Sequence, residues 1–87
     1  MKHRILGIAA LILSALLSVA HAATVNLNTA SAEELAAALQ GIGVTKAEAI
    51  IAFREKNGVF LSVDDLALVK GIGDALLERN RDSLIVE

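Results

Sequence analysis

The sequence predicts an all-α domain of four to five short helices, arranged as two helix pairs that each close on a tight hairpin. Three observations carry this expectation. Gly41-Ile42-Gly43 recurs 30 residues later as Gly71-Ile72-Gly73. Ser31-Ala32-Glu33-Glu34-Leu35 recurs as Ser62-Val63-Asp64-Asp65-Leu66 at an offset of 31. Each Gly-Ile-Gly also lies between a short apolar segment and a second helical pattern, and matched recurrence at a fixed period is the signature of repeated supersecondary units. Each unit carries one apolar face, so the two must pack together to make a core. The mismatch between the two offsets leaves one extra residue in the first copy, among Ala36 to Ala38.

The first 22 residues read as a leader. Lys2 and Arg4 precede Ile5 to Ala20, which is apolar apart from Gly7, Ser14 and Ser18, and Ala20-His21-Ala22 follows. A basic start, a short apolar run and small residues flanking the cut describe a secretory signal peptide. The rival reading is a retained membrane anchor. A helix of this length spans about 24 Å, short of a hydrocarbon core of roughly 30 Å. The expected organisation is therefore a cleaved signal peptide at 1–22 and a domain at 23–87, with hairpins at 41–43 and 71–73 and no stable membrane insertion after cleavage. Loss of Lys2 and Arg4 leaves six basic residues against ten acidic ones, a net charge of −4. Both histidines leave as well, and the remaining 65 residues contain no Cys, Trp, Tyr or Pro.

Within the domain, Val25 and Leu27 alternate with Asn26 and Asn28, an extended lead-in. Ser31 and Glu34 fit a capping box opening the first helix. Leu35 and Leu39 share one of its faces, and Gly41 stops it. Thr45-Lys46-Ala47-Glu48 reads as a second capping box. It opens a helix to about Asn57, ended by Gly58. The inner arc of that helix holds Ala47, Ile50, Ile51 and Phe53. Arg54 points into the same arc, where an arginine is expected to donate to loop carbonyls or to pair with Asp64 or Asp65. Phe60 is expected to be buried in the link. Ser62 and its two following acids start a third helix, with Leu66 and Val69 facing inward. Asp74 is expected to cap a fourth helix striped by Leu76, Leu77 and Leu84, with Asn80 inside the stripe, and Leu84-Ile85-Val86 either ends that helix or extends as a tail.

Glycine leaves no side chain over the backbone. A phosphate can then approach the N–H groups of a hairpin, which also sit at a helix N-terminus. The candidate residues are Gly41, Ile42, Gly43, Thr45 and Lys46 in the first hairpin, and Lys70, Gly71, Ile72 and Gly73 in the second. Ile42 and Ile72 are expected to be buried pegs that hold the turns. Lys46 and Lys70 are placed to reach the same or a neighbouring phosphate, and Arg79 and Arg81 are further candidate cations. Glycine hairpins also serve as plain packing devices, and a single Gly-Ile-Gly would favour that reading. The tandem copy and the lysines argue against it.

The series Asn28-Thr29-Ala30-Ser31, Leu39-Gln40-Gly41-Ile42-Gly43, Lys46 to Arg54, Asn57-Gly58-Val59-Phe60 and Val69-Lys70-Gly71-Ile72-Gly73 resembles the ComEA family over nearly all of residues 23–87. That family comprises exported competence proteins with a tandem helix-hairpin-helix domain. The resemblance implies sequence-independent binding of double-stranded DNA, a periplasmic location, and a part in DNA uptake alongside uptake or secretion machinery. Many family members have proline where Gln40 and Val44 stand. Where Asp74-Ala75 follows the second turn, they often carry a basic residue or threonine.

An enzyme is not expected. No His or Cys remains in 23–87 to act as base, nucleophile or thiolate ligand. Glu33-Glu34 and Asp64-Asp65 stand at helix starts, where acids are stabilising in any case. The two phenylalanines belong to the core, which speaks against a stacking platform for single strands. No metal or cofactor is expected. The competing reading is a non-enzymatic periplasmic protein-interaction module that uses the same scaffold. Protein recovered from the exported fraction is expected to begin at Ala23, which intact-mass measurement checks. A full-length chain confined to membranes would reverse the leader assignment.

Overall fold

The computed structural model describes residues 24–87, so the expected leader and its cleavage site lie outside the described residues. The elements run β1 (Val25–Asn26), α1 (Ala32–Ala38), α2 (Val44–Asn57), a 3-10 segment at Val63–Leu68, α3 (Asp74–Asn80), a 3-10 turn at Arg81–Ser83 and β2 (Leu84–Ile85). The fold is helical as expected, with one addition. The extended lead-in pairs in parallel with the tail, Val25 opposite Leu84 and Asn26 opposite Ile85. Leu27 N–H continues the pairing by donating to the Ile85 carbonyl at 3.0 Å. Val25, Leu27 and Leu84 are buried, so this short ladder closes the core where the two ends of the domain meet.

Helix α1 starts as its sequence dictates. Glu34 N–H donates to Ser31 Oγ at 3.1 Å, and Ser31 N–H donates to Glu34 Oε1 at 3.2 Å. Two N–H groups that a helix start leaves without partners are thereby satisfied. Leu35 and Leu39 turn inward, as expected. Helix α2 also ends as expected, at Asn57, with Gly58 N–H donating to the Arg54 carbonyl at 2.9 Å. Arg54 resolves in favour of a carbonyl: its Nη1 donates to Leu27 O at 2.9 Å, tying α2 to the lead-in. Phe60 is buried and stacks on Phe53, with ring centroids 5.2 Å apart.

Three local expectations are corrected. Thr45 does not cap α2 and forms no capping box with Glu48. Gly43 is the N-cap, its carbonyl accepts from Ala47 N–H at 2.9 Å, and the helix begins at Val44. Asp74 likewise does not cap α3. Gly73 does so by backbone alone, its carbonyl accepting from Leu77 N–H at 3.1 Å, and Asp74 is the first helical residue. The cause is common to both. The second glycine of each turn already has the extended backbone of an N-cap residue, φ −88° at Gly43 and −96° at Gly73, so α2 starts two positions and α3 one position earlier than expected.

The third helix is the other correction: Val63–Leu68 winds as a 3-10 helix. Its inward residues explain the change. Leu35 and Leu39 are spaced by four, which suits an α-helix, whereas Leu66 and Val69 are spaced by three, the period of the tighter 3-10 winding. The residue missing from the second copy is the one an α-helix would have needed. Ser62 Oγ still accepts from Asp64 N–H at 2.9 Å, as expected of the cap.

Asn28 closes the link between the two units. Its Oδ1 accepts from Phe60 N–H at 2.6 Å and its Nδ2 donates to Phe60 O at 3.0 Å, so one side chain holds both polar groups of a residue 32 positions away. Asn28→Ala leaves those groups without partners, and is expected to destabilise the domain by about 1–3 kcal/mol. The change should read as a lower urea midpoint at unchanged m-value.

Candidate nucleic-acid interface

The two Gly-Ile-Gly turns are built alike. The first glycine takes a left-handed backbone, φ 71° at Gly41 and 92° at Gly71. That conformation is disfavoured for residues with a Cβ. The isoleucine turns inward and is buried, Ile42 and Ile72 each at 3% exposure, as the peg role requires. The second glycine is extended and leads into the next helix. Both flanking glycines are exposed in each turn. The burial of Ile42 and Ile72 agrees with expectation, and the caps do not. The corrected caps matter, because no side-chain oxygen is bonded at the start of either α2 or α3. The first-turn N–H groups keep their donors for an outside acceptor.

The chemistry around the turns is unequal. Val44, Thr45 and Lys46 form the first turn of α2, with Thr45 exposed and Lys46 half-buried. That turn contains no acid. In the repeat register the corresponding residues of α3 are Asp74, Ala75 and Leu76. An exposed carboxylate and an apolar side chain therefore stand where the first unit has a valine and a lysine. The second unit has its own cation before the turn rather than after it, at the exposed Lys70, where the first has Gln40. Helix α2 is 14 residues long and α3 only seven, so the first turn also has the larger aligned dipole behind it.

Two other cations change standing. Arg81 Nη2 lies 2.7 Å from Asp64 Oδ1 and 2.6 Å from Glu78 Oε1, so it is already paired. The hydrogen bond from Arg81 holds the Glu78 carboxyl below its ordinary range, and the two acids push the Arg81 guanidinium above its own. Arg81 therefore stands paired with two carboxylates rather than as a free cation. Lys56, not among the cations expected from the sequence, lines the same shallow groove as Lys70, about 390 Å³ in volume, together with Ala52, Phe53 and Leu68. Its only signal in the sequence was a basic residue in the last turn of a helix, which dipole complementarity accounts for without a ligand.

The turns are not independent of each other. Asn80, on α3, is 2% exposed, and its Oδ1 accepts from Gln40 N–H at 2.7 Å while its Nδ2 donates to Gln40 O at 2.9 Å. Next to Gln40, Gly41 lies so close to α3 that a Cβ there would stand 2.9 Å from Leu76 Cδ1.

The helix-hairpin-helix motif family model matches residues 20–85 of this chain. An uncharacterized protein of Haemophilus influenzae is 53% identical over 60 residues, covering 69% of this chain and 54% of that protein. ComE operon protein 1 of Bacillus subtilis is 48% identical over 65 residues, covering 75% of this chain and 31% of its own length. Endonuclease/exonuclease/phosphatase family domain-containing protein 1 of Homo sapiens is 43% identical over 61 residues, which are 70% of this chain and 10% of that protein. The chain thus spans about half or less of the length of these relatives.

The two left-handed glycines are expected to differ in their tolerance of a side chain. Gly71→Ala should destabilise by about 1–2 kcal/mol from backbone strain alone. Gly41→Ala should cost more, to the extent that Leu76 resists turning its methyl aside. Urea midpoints of the two variants check this, and equal midpoints would mean that the approach of Gly41 to Leu76 carries no energy.

Proposed function

The chain belongs to the helix-hairpin-helix family and is ComEA-like, and from that premise we propose that it binds double-stranded DNA without sequence preference, as a non-enzymatic exported protein of competence-type DNA uptake. The observation that carries the reading is the pair of matched turns, each with uncapped first-turn amides beside a lysine. Backbone N–H groups around Gly41, Gly43 and Thr45 bind one phosphate, with Lys46 supplying charge. The second turn, at Gly71 and Gly73, leans on Lys70 and, along the groove, on Lys56. Such contacts position a protein on a duplex and read no bases. Ile42 and Ile72 contribute only by holding the turn backbones. A periplasmic site of action follows from the leader expected at 1–22, and uptake machinery is the natural partner there.

A second reading has one observation in its favour. Val59, Leu61 and Leu68 are exposed large apolar residues, and together with Phe53 and Phe60 they line one depression beside the Lys56–Lys70 groove. Exposed apolar clusters often mark protein contacts, which suits a protein-interaction module. Retention of a protein partner with no retention of duplex DNA would favour that reading.

The test is a fluorescence-anisotropy titration of the full chain against duplex DNA at several salt concentrations. With about two to four phosphates neutralised, log K against log salt should fall with a slope of roughly −2 to −3.5. A slope near −8, or strong preference for one sequence, would sink the proposed interface. Lys46→Ala should weaken binding more than Lys70→Ala, with folding little changed in either. Asp74 is exposed and caps nothing, so Asp74→Asn removes a repulsive charge without disturbing a cap and should tighten binding. If Lys70→Ala abolishes binding while Asp74→Asn leaves it unchanged, the second turn is the principal site.

A further inference from the structure

Asn80 stands, in the register of the repeat, where the first unit has Ile50. Both positions are in the core, Ile50 at 0% exposure and Asn80 at 2%. An apolar side chain serves the packing in one copy, yet the other copy buries an amide. That is unfavourable unless every polar atom of the amide finds a partner. Here all do. Beside the two bonds to Gln40, Nδ2 donates to Leu76 O at 3.0 Å within α3. Two of the three bonds go to the backbone of one residue 40 positions away, the residue that immediately precedes Gly41. The close approach of Gly41 to Leu76 lies on the same seam. Asn80 thereby does what an isoleucine cannot: it registers the entrance of the first turn against the helix that leaves the second.

The geometry points to Asn80 as a positioning residue for duplex binding, one that holds the two Gly-Ile-Gly turns at a single spacing so that both engage one duplex at once. This rests on the duplex-binding reading above. Each turn has few cations and the domain around it is acidic, so each alone is a weak site. Joining two weak sites makes the second contact intramolecular, and a fixed spacing removes the ordering that a loose joint would require. Freeing the Gln40 backbone leaves the residues of both turns in place and lets their separation wander.

The experiment compares the full chain with Asn80→Leu, Asn80→Ser, Lys70→Ala and the Asn80→Leu/Lys70→Ala double variant. Each is titrated with a duplex long enough to span both turns, at several salt concentrations, with circular dichroism to confirm helix content. Asn80→Leu should weaken binding by roughly tenfold or more, because the advantage of linkage is lost. Its salt slope should fall by about half, because only one turn is engaged at a time. Lys70→Ala should then cost little further in the Asn80→Leu background, while costing several-fold in the wild type. Residues that act through one another show such non-additivity. Asn80→Ser is neutral and keeps one hydroxyl, too short to hold both Gln40 groups at once, so it should fall between the wild type and Asn80→Leu. It carries the test should Asn80→Leu fail to fold. A merely structural asparagine predicts lower stability with the salt slope and the Lys70→Ala effect unchanged, and that result in a folded variant overturns the inference. No binding by the wild type would overturn the duplex reading itself, and is distinguished by that fact.

Discussion

Each helix pair in this domain has a single apolar face, and the described residues 24–87 hold no third layer with which to cover it. The two faces must therefore close on each other, and the rest of the structure follows from that constraint. Leu35 and Ile50 from the first unit meet Leu66 and Leu77 from the second in one core, with the two isoleucine pegs driven into it. The first and last strands complete the closure. Apolar packing by itself is non-directional and would tolerate the units sliding over one another. Two asparagines remove that freedom. Asn28 holds the backbone of Phe60 and Asn80 holds that of Gln40, each through one donor and one acceptor. A buried amide that is satisfied only in one arrangement penalises all the others, since a polar group left without a partner costs about 1–3 kcal/mol.

The repeat is symmetric in architecture and asymmetric in chemistry. Burial alternates in nearly the same way through residues 41–50 and 71–80, down to the half-buried position held by Lys46 in one copy and Leu76 in the other. The backbone conformations of the two turns match as well. What differs is what stands beside them: a valine, a threonine and a lysine after the first turn, an aspartate, an alanine and a leucine after the second. A fold of this kind can hold its turns in identical geometry while giving them unequal attraction for an anion, because the turn is built by glycine and a peg, and the exposed flanking residues take no part in building it.

The corrected helix starts bear directly on the site. A threonine or aspartate cap would have occupied a first-turn N–H with its own side chain. Glycine at the N-cap leaves those donors without a side-chain cap, and leaves Asp74 as a charge near the turn whose one structural contribution is to the helix dipole. Arg81 went the other way. Read along the chain it was a free cation, and in the fold it bridges Asp64, 17 residues earlier, and Glu78.

The sequence by itself determined what depends on neighbours along the chain. The two turns, their buried isoleucines, the Ser31–Glu34 box, the end of α2 at Gly58 and the inward faces of Leu35, Leu66 and Val69 were legible because periodicity and turn chemistry act over a few residues. The 3-10 winding was legible in principle, in the change of apolar spacing from four to three. Tertiary structure alone decided what depends on partners distant in sequence: which carbonyl Arg54 reaches, that the lead-in pairs with the tail, that Lys56 joins Lys70 at one groove, and that Asn80 meets Gln40. An asparagine in an apolar stripe announces that something must satisfy its amide, and nothing in the spacing says what. Only packing the two units together brings that partner within hydrogen-bond distance.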